Sequence, residues 1–252
     1  MFIDTHCHLS IKDYDDIDKI IKEDFEKVDK IIISGCDKES IFESIEIANN
    51  YDNIFVTIGY HPDQVDVISD KDLVDLEKLL KNEKVVGIGE IGLDYHYDSS
   101  KKKEQIELFE KQLELAVKYS MPVVIHSREA TMDTINTLKK YKVKGIIHAF
   151  SGSLETADIY IKMGFLLGIG GVVTFKNSRL YEVVEKIDLD HVVLETDSPY
   201  LTPHPYRGKQ NSSKYIPIIA KRISEITSLS IEKVDEITSS NACRLFDLNN
   251  KK

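Results

Sequence analysis

Eight short apolar runs, rich in Val and Ile, recur along the chain, and nearly every gap between them has the length and spacing of a helix. The runs are residues 2–5, 30–34 ("KIIIS"), 54–59 ("IFVTIG"), 85–90 ("VVGIGE"), 122–126 ("PVVIH"), 145–148 ("GIIH"), 165–170 ("FLLGIG") and 191–196 ("HVVLET"). Helices are predicted over 15–27, 39–49, 71–81, 101–119, 130–141, 154–163 and 180–186. The clearest is 101–119, where Ile106, Phe109, Leu113, Ala116 and Val117 repeat at helical spacing. Two more helical segments, 213–227 and 230–246, follow the last run. Strands alternating with helices mean βαβ units and a parallel sheet. Eight such units in 252 residues favour an α/β fold of the (β/α)8 TIM-barrel type with an extra C-terminal helix. The alternative is an open doubly wound sheet. No linker or low-complexity tract divides the chain, and α/β barrels of ~200–250 residues are ordinary single domains. One domain over 1–252 is therefore expected.

In a barrel all the strands finish on one face, and that face carries the active site. The metal-capable side chains sit at those ends. His6 and His8 follow the first run, His61 the third, and Asp197 the eighth, while Glu90, His126 and His148 close the fourth, fifth and sixth. In extended chain, residues i and i+2 share a side, so His6 and His8 can bind one ion while Cys7 points away as a small buried thiol. A single histidine is ordinarily a core or capping residue. Five of the eight histidines at predicted strand ends are not explained that way. A His/Asp/Glu donor set without clustered thiols suits Zn, Mn, Fe or Mg, and the imidazole count disfavours Mg or Ca alone. Six candidate ligands exceed what one hydrolytic ion with an open position needs. They suit two ions ~3.5–4 Å apart, bridged by a carboxylate. Glu90 is the natural bridge, and Asp197 can both ligate and take the proton of an attacking water.

Net charge matters to the choice of substrate. At −10 the chain lacks the balance expected of a broad basic face that grips duplex DNA. A nucleic-acid substrate remains compatible, because bound metal supplies positive charge locally. Cys7, Cys36 and Cys243 form an odd set that suits a reducing, cytoplasmic setting. The N-terminus does not read as a signal peptide, and no run approaches the ~18 apolar residues of a membrane span. Gly87, Gly89 and Gly92 match G-x-G-x-x-G, the dinucleotide-binding pattern. That pattern should open directly into a helix, with a ribose-binding acid ~20 residues on. Here "LDYHYDSS" (93–100) follows, which is turn-like, and the next stretch is helix. The segment reads as barrel strand four, with Gly87 and Gly89 allowing close approach of neighbouring chains.

The ordered set "DTHCH" (4–8), "GYHP" (59–62), "GEIGLDY" (89–95), "IHSR" (125–128), "HAFSG" (148–152), "GIGGVVTFK" (168–176), "LETDSPYLTP" (194–203) and "RGKQN" (207–211) resembles the TatD family of metal-dependent deoxyribonucleases, within the amidohydrolase-like barrels. The resemblance runs from Phe2 to about Phe246. It implies two divalent ions per chain, Mg, Mn or Zn. His6 and His8 would hold the first with Glu90 and Asp197. Glu90 would reach the second, held by His126 and His148, and His61 would contact substrate or water. The implied activity is hydrolysis of phosphodiester bonds in single-stranded DNA or RNA, as a 3′–5′ exonuclease, with no membrane and no obligate protein partner. The alternative is an ester or amide hydrolase such as a D-aminoacyl-tRNA deacylase, which the same ligands would serve. Arg128, Lys176 and Arg207 are placed in loops after strands five, seven and eight, as candidates for non-scissile phosphates. Tyr95, Phe150, Tyr200 and Tyr206 are candidates for base stacking, with ordinary packing the simpler reading. Asp94 is read as an acid that orders the loop or supports a ligand. The chain departs from its relatives at "SSK" (212–214), where they often carry Glu-Pro, which bears on how the next helix begins.

Overall fold

The apolar runs become eight parallel strands paired in chain order. They are β1 (Phe2–Cys7), β2 (Val28–Gly35), β3 (Ile54–Ile58), β4 (Val85–Asp94), β5 (Val123–Arg128), β6 (Gly145–Ile147), β7 (Phe165–Ile169) and β8 (Val192–Leu194). This computed structural model describes residues 1–96 and 99–251. Helices α1 (Ile17–Phe25), α2 (Lys38–Asn49), α3 (Asp70–Leu79), α4 (Lys102–Tyr119), α5 (Thr131–Leu138), α6 (Leu154–Lys162) and α7 (Leu180–Val184) return the chain between strands, and α8 (Ile216–Thr227) and α9 (Ile231–Phe246) follow β8. Caps fix where several of them begin. Asp16 accepts from the Lys19 N–H and starts α1, and Asp37 forms a capping box with Ser40 at α2. The ring closes between β1 and β8. Asp197 N–H donates to the His6 carbonyl (3.0 Å), His8 N–H to the Ser198 carbonyl (2.7 Å) and Thr5 Oγ1 to the Leu194 carbonyl (2.9 Å). The fold is therefore a (β/α)8 barrel. Among the described residues no helix is long and apolar enough to cross a membrane.

The extra C-terminal helix has a definite place. Each strand contributes one side chain (Ile3, Ile32, Phe55, Val86, Val124, Ile146, Leu166 and Val193) to an apolar cluster that also contains Ala242, Phe246 and Leu248. These residues lie toward the strand starts, so the end of α9 plugs the N-terminal mouth. Gly87 is needed here, because a Cβ would stand 2.9 Å from the Pro122 carbonyl and 3.2 Å from the Phe246 ring. The inward positions above this layer are polar.

Two strands bend the alternation rule to reach that polar layer. Ile3 faces inward and so does His6, three residues on. The odd step is absorbed where the β1–β2 register shifts between Asp4 and Cys7. β4 has two such shifts, one against β3 and one between Ile88 and Ile91 against β5. Bulges of this kind re-aim side chains next to active sites. β4 and β5 also run further than their apolar runs predict, pairing Gly92 with His126 and Asp94 with Arg128. Glu90 and His126 are thus inside strands rather than at their ends, and Arg128 is the last residue of β5 rather than a loop residue. Within the stretch read as a turn, Leu93 and Asp94 are strand, and Tyr97 and Asp98 lie outside the described residues. Gly92 makes the long pairing possible. It sits at φ +148, and a Cβ there would be 2.0 Å from the His126 carbonyl oxygen.

Candidate metal centre

Glu90 is buried at the centre of the C-terminal mouth, and its two carboxylate oxygens face different groups. Oε2 lies 3.5 Å from His6 Nε2 and 3.7 Å from His8 Nε2. Asp197 Oδ1 lies 3.5 Å from each of the same two nitrogens, which are 3.3 Å apart. Four ligand atoms ~2.1 Å from a common tetrahedral centre would be ~3.4 Å from one another, so this group has the spacing of a cation site. Oε1 of Glu90 faces the other way. It is 2.7 Å from His126 Nδ1 and 2.9 Å from His148 Nε2, with those nitrogens 3.3 Å apart and His61 Nε2 at 3.8 Å. All six predicted ligands, and His61 beside them, are brought together. Cys7 is not among them. It is buried outside the mouth, its Sγ 3.7 Å from the Ile32 carbonyl.

The far side of each ring is where metal-ligand histidines are usually oriented. His8 Nδ1 is 3.1 Å from the Ser34 carbonyl, and His126 Nε2 is 3.0 Å from Asp94 Oδ2. Asp94 is therefore the acid that supports His126. His6 Nδ1 and His148 Nδ1 are buried without a hydrogen-bond partner among the described residues. Burial opposes ionisation throughout, but the mutual attraction is larger. Histidines 148, 126 and 6 hold the Glu90 carboxyl well below its ordinary range, and His6 and His8 do the same for Asp197. In return His8 is raised well above its ordinary value by Asp197, and His148 by Glu90 and Glu195. Without a cation the cluster holds protons that a divalent ion would displace. Asp197 is positioned by a left-handed turn (φ 55), a conformation Asp tolerates better than most residues.

Two buried acids escaped the sequence reading. Glu195 is fully buried, accepts a hydrogen bond from Ala149 N–H, and places Oε1 3.7 Å from His148 Nδ1. Gly168 makes room for it, since a Cβ there would be 2.1 Å from Glu195 Oε2. The available signal was an acid inside the apolar run "HVVLET", because Glu is almost never fully buried unless paired. Asp4 accepts from Thr196 N–H (3.0 Å), Thr196 Oγ1 (2.6 Å) and Ser213 Oγ (2.7 Å), tying the β1–β8 seam to residue 213. Burial pushes its carboxyl up to about 7, against those donors. The divergent "SSK" stretch is anchored in the same way. Ser212 Oγ and Lys214 N–H donate to Asp24, and Lys214 Nζ pairs with Glu23 at 2.7 Å.

The candidate substrate residues divide. Lys176 and Arg207 line one cleft of about 550 Å³ with Ser151, Gly152 and Phe175, and the Arg207 guanidinium lies 4.0 Å over the Phe175 ring. Arg128 is not among the residues lining that cleft. Tyr95 is buried with its hydroxyl 3.0 Å from Asp133, and Phe150 is buried in the core, so both pack rather than present a face. Tyr206 stacks on Tyr215 at 5.0 Å. Tyr200 is 60% exposed and lies edge-on to His8 at 6.4 Å, next to the first group of ligands.

Clustered imidazoles and carboxylates at the C-terminal mouth of a (β/α)8 barrel define the class of metal-dependent barrel hydrolases. The family model for TatD related DNase matches residues 3–247. The chain belongs to that family. It is 43% identical over 255 residues to YabD of Bacillus subtilis strain 168, an uncharacterized metal-dependent hydrolase, covering 99% of this chain and 100% of that one. It is 31% identical to YcfH of Escherichia coli K12, described in the same words, covering 98% and 96%. The crystal structure of YjjV, a TatD homolog from Escherichia coli K12, superposes with a TM-score of 0.91 at 29% identity over 98% of each chain. The protein is a metal-dependent hydrolase.

Proposed function

We propose that the protein is a two-metal phosphodiesterase acting on single-stranded nucleic acid from the 3′ end. The observation that carries this reading is the division of Glu90 between two histidine groups. His6, His8, Glu90 and Asp197 would hold one ion, and Glu90, His126 and His148 the other. Mg, Mn and Zn are the candidates. When bound, such ions neutralise charge on the phosphoryl oxygens and make the attacking water more acidic. Asp197 is held in its ionised form, so it accepts the proton as the water oxygen bonds to phosphorus and the P–O bond to the 3′ oxygen of the remaining strand breaks, that oxygen leaving as the new 3′ hydroxyl once it takes up a proton. His61, 3.8 Å from Glu90 Oε1, stands where it can contact a phosphoryl oxygen or the water. Lys176 and Arg207 bind a phosphate that is not cleaved.

The test is to strip the protein with EDTA, verify metal content, restore Mg or Mn, and map products from 3′-labelled and 5′-labelled single strands. Activity is expected to vanish and return, with mononucleotides leaving the 3′ end. Asp197→Asn should lower kcat ~10²–10⁴-fold. Full activity in verified metal-free protein, or a strong preference for D-aminoacyl-tRNA assayed in parallel, would overturn the reading.

A further inference from the structure

We propose that the Lys176–Arg207 cleft continues into a second cleft on the flank of the barrel, and that the two form a track for the uncleaved part of a single strand. The proposal rests on the phosphodiesterase reading above. The second cleft, about 460 Å³, is walled by Tyr181 and by Ile218, Lys221 and Arg222. It shares Phe175, Lys176, Ser178 and His204 with the first, so the two adjoin. Each lies within the ~300–1,000 Å³ range of ligand sites. The path begins at loops that follow β6, β7 and β8, on the face of the barrel that holds the metal-ligand candidates, and descends to α8.

The chemistry of the walls selects the occupant. The chain as a whole is acidic, at −10. Within the track, Arg179 is taken by Glu182 (2.7 Å) and Arg222 leans on Glu225 (3.3 Å). No described carboxylate lies within 4.0 Å of Lys176, Arg207 or Lys221. Three cations without a carboxylate partner along one groove concentrate a phosphate backbone there. The 43% exposed Tyr181 adds a ring surface. Bases stack on such surfaces with little regard to sequence. On this proposal Lys221 meets only the part of a strand that lies beyond the Lys176–Arg207 cleft, which a dinucleotide lacks.

The experiment uses Lys221→Glu, an exposed substitution on α8. Binding of a fluorescent oligothymidylate of ~10 nucleotides is followed by anisotropy in EDTA across a salt series. Turnover of bis(p-nitrophenyl) phosphate, a dinucleotide and the same oligonucleotide is measured with metal restored. The variant is expected to raise Kd for the long strand about three- to tenfold and to reduce the magnitude of the log–log salt slope by about 0.7 per lost phosphate contact. Its KM for the long strand should rise while turnover of the two small substrates stays at the wild-type level. Unchanged Kd and salt slope would overturn the track while leaving the phosphodiesterase reading intact. A wild-type protein that cleaves none of the three phosphodiesters would overturn that reading instead.

Discussion

Gly168→Ala probes the support behind His148 with a single methyl group. The added Cβ would sit 2.1 Å from Glu195 Oε2, 2.6 Å from its Cδ and 3.1 Å from Oε1. Glu195 has no exposed surface to swing toward. To clear the methyl it must give up the hydrogen bond from Ala149 N–H and its place 3.7 Å from His148 Nδ1. A buried hydrogen bond lost with its partners left unsatisfied costs ~1–3 kcal/mol, and overpacking a core costs ~1–3 kcal/mol. Together they predict a loss of about 2–6 kcal/mol, or a fall in Tm of roughly 5–20 °C for a chain of this size. His148 also loses the carboxylate 3.7 Å behind its Nδ1, and removing outer partners of metal-ligand histidines weakens metal binding ~10–100-fold. Thermal unfolding of the metal-free protein and titration calorimetry with Mn²⁺ read the two effects separately. The double variant Gly168→Ala/Glu195→Ala should recover part of the Tm but none of the affinity, because the clash is gone and the support is still missing. A Gly168→Ala protein that melts within about 2 °C of wild type and binds Mn²⁺ with an unchanged isotherm would refute the reasoning.

Metal binding should release protons. His8 and His148 are raised well above their ordinary values in the metal-free site, so near neutral pH an arriving cation displaces their protons and affinity climbs with pH. Calorimetry in buffers of differing ionisation enthalpy measures the release, and a pH-independent affinity between pH 6 and 8 would contradict it. Asp24 gives a separate dependence of opposite sense. Burial pushes its carboxyl to about 6 against 3.8 for the free side chain. Between those values the folded state keeps a proton that the unfolded chain has lost. The stability from this group is therefore full below pH 3.8 and declines as pH rises through 6, by roughly 3 kcal/mol. Asp24→Asn should remove that decline, so the stability of wild type relative to the variant falls with rising pH across the window. Parallel pH profiles for the two proteins would rule it out.

Local periodicity carried most of the architecture. Apolar runs separated by helix-length gaps depend only on near neighbours in the chain, and all eight became strands in order. The positions of His6, His8, His126, His148 and Asp197 near the ends of those runs were enough to bring them to one mouth, because parallel strands in a barrel finish together. The rejection of a dinucleotide loop at Gly87–Gly92 also rested on context that is local. Element ends were less legible. β4 and β5 outrun their apolar runs because they pair with each other as far as Asp94 and Arg128, and that partnership leaves no mark in either segment alone.

What only the tertiary structure decided is which way the acids face. A strand's alternation says that neighbours point to opposite sides, but a register shift reverses the count. The shifts in β1 and β4 exist only relative to the adjacent strands. They aim His6 inward three residues after an inward Ile3, and they direct Glu90 between two sets of imidazoles. Glu195 became a support for His148 only because Gly168, on the neighbouring strand, leaves it space. The extra C-terminal helix was legible as a helix. Its role as the plug of the barrel floor depends on eight side chains that converge from eight strands. Residue types and their order selected the fold and the candidate ligands; contacts between residues far apart in the chain determined the geometry that the chemistry needs.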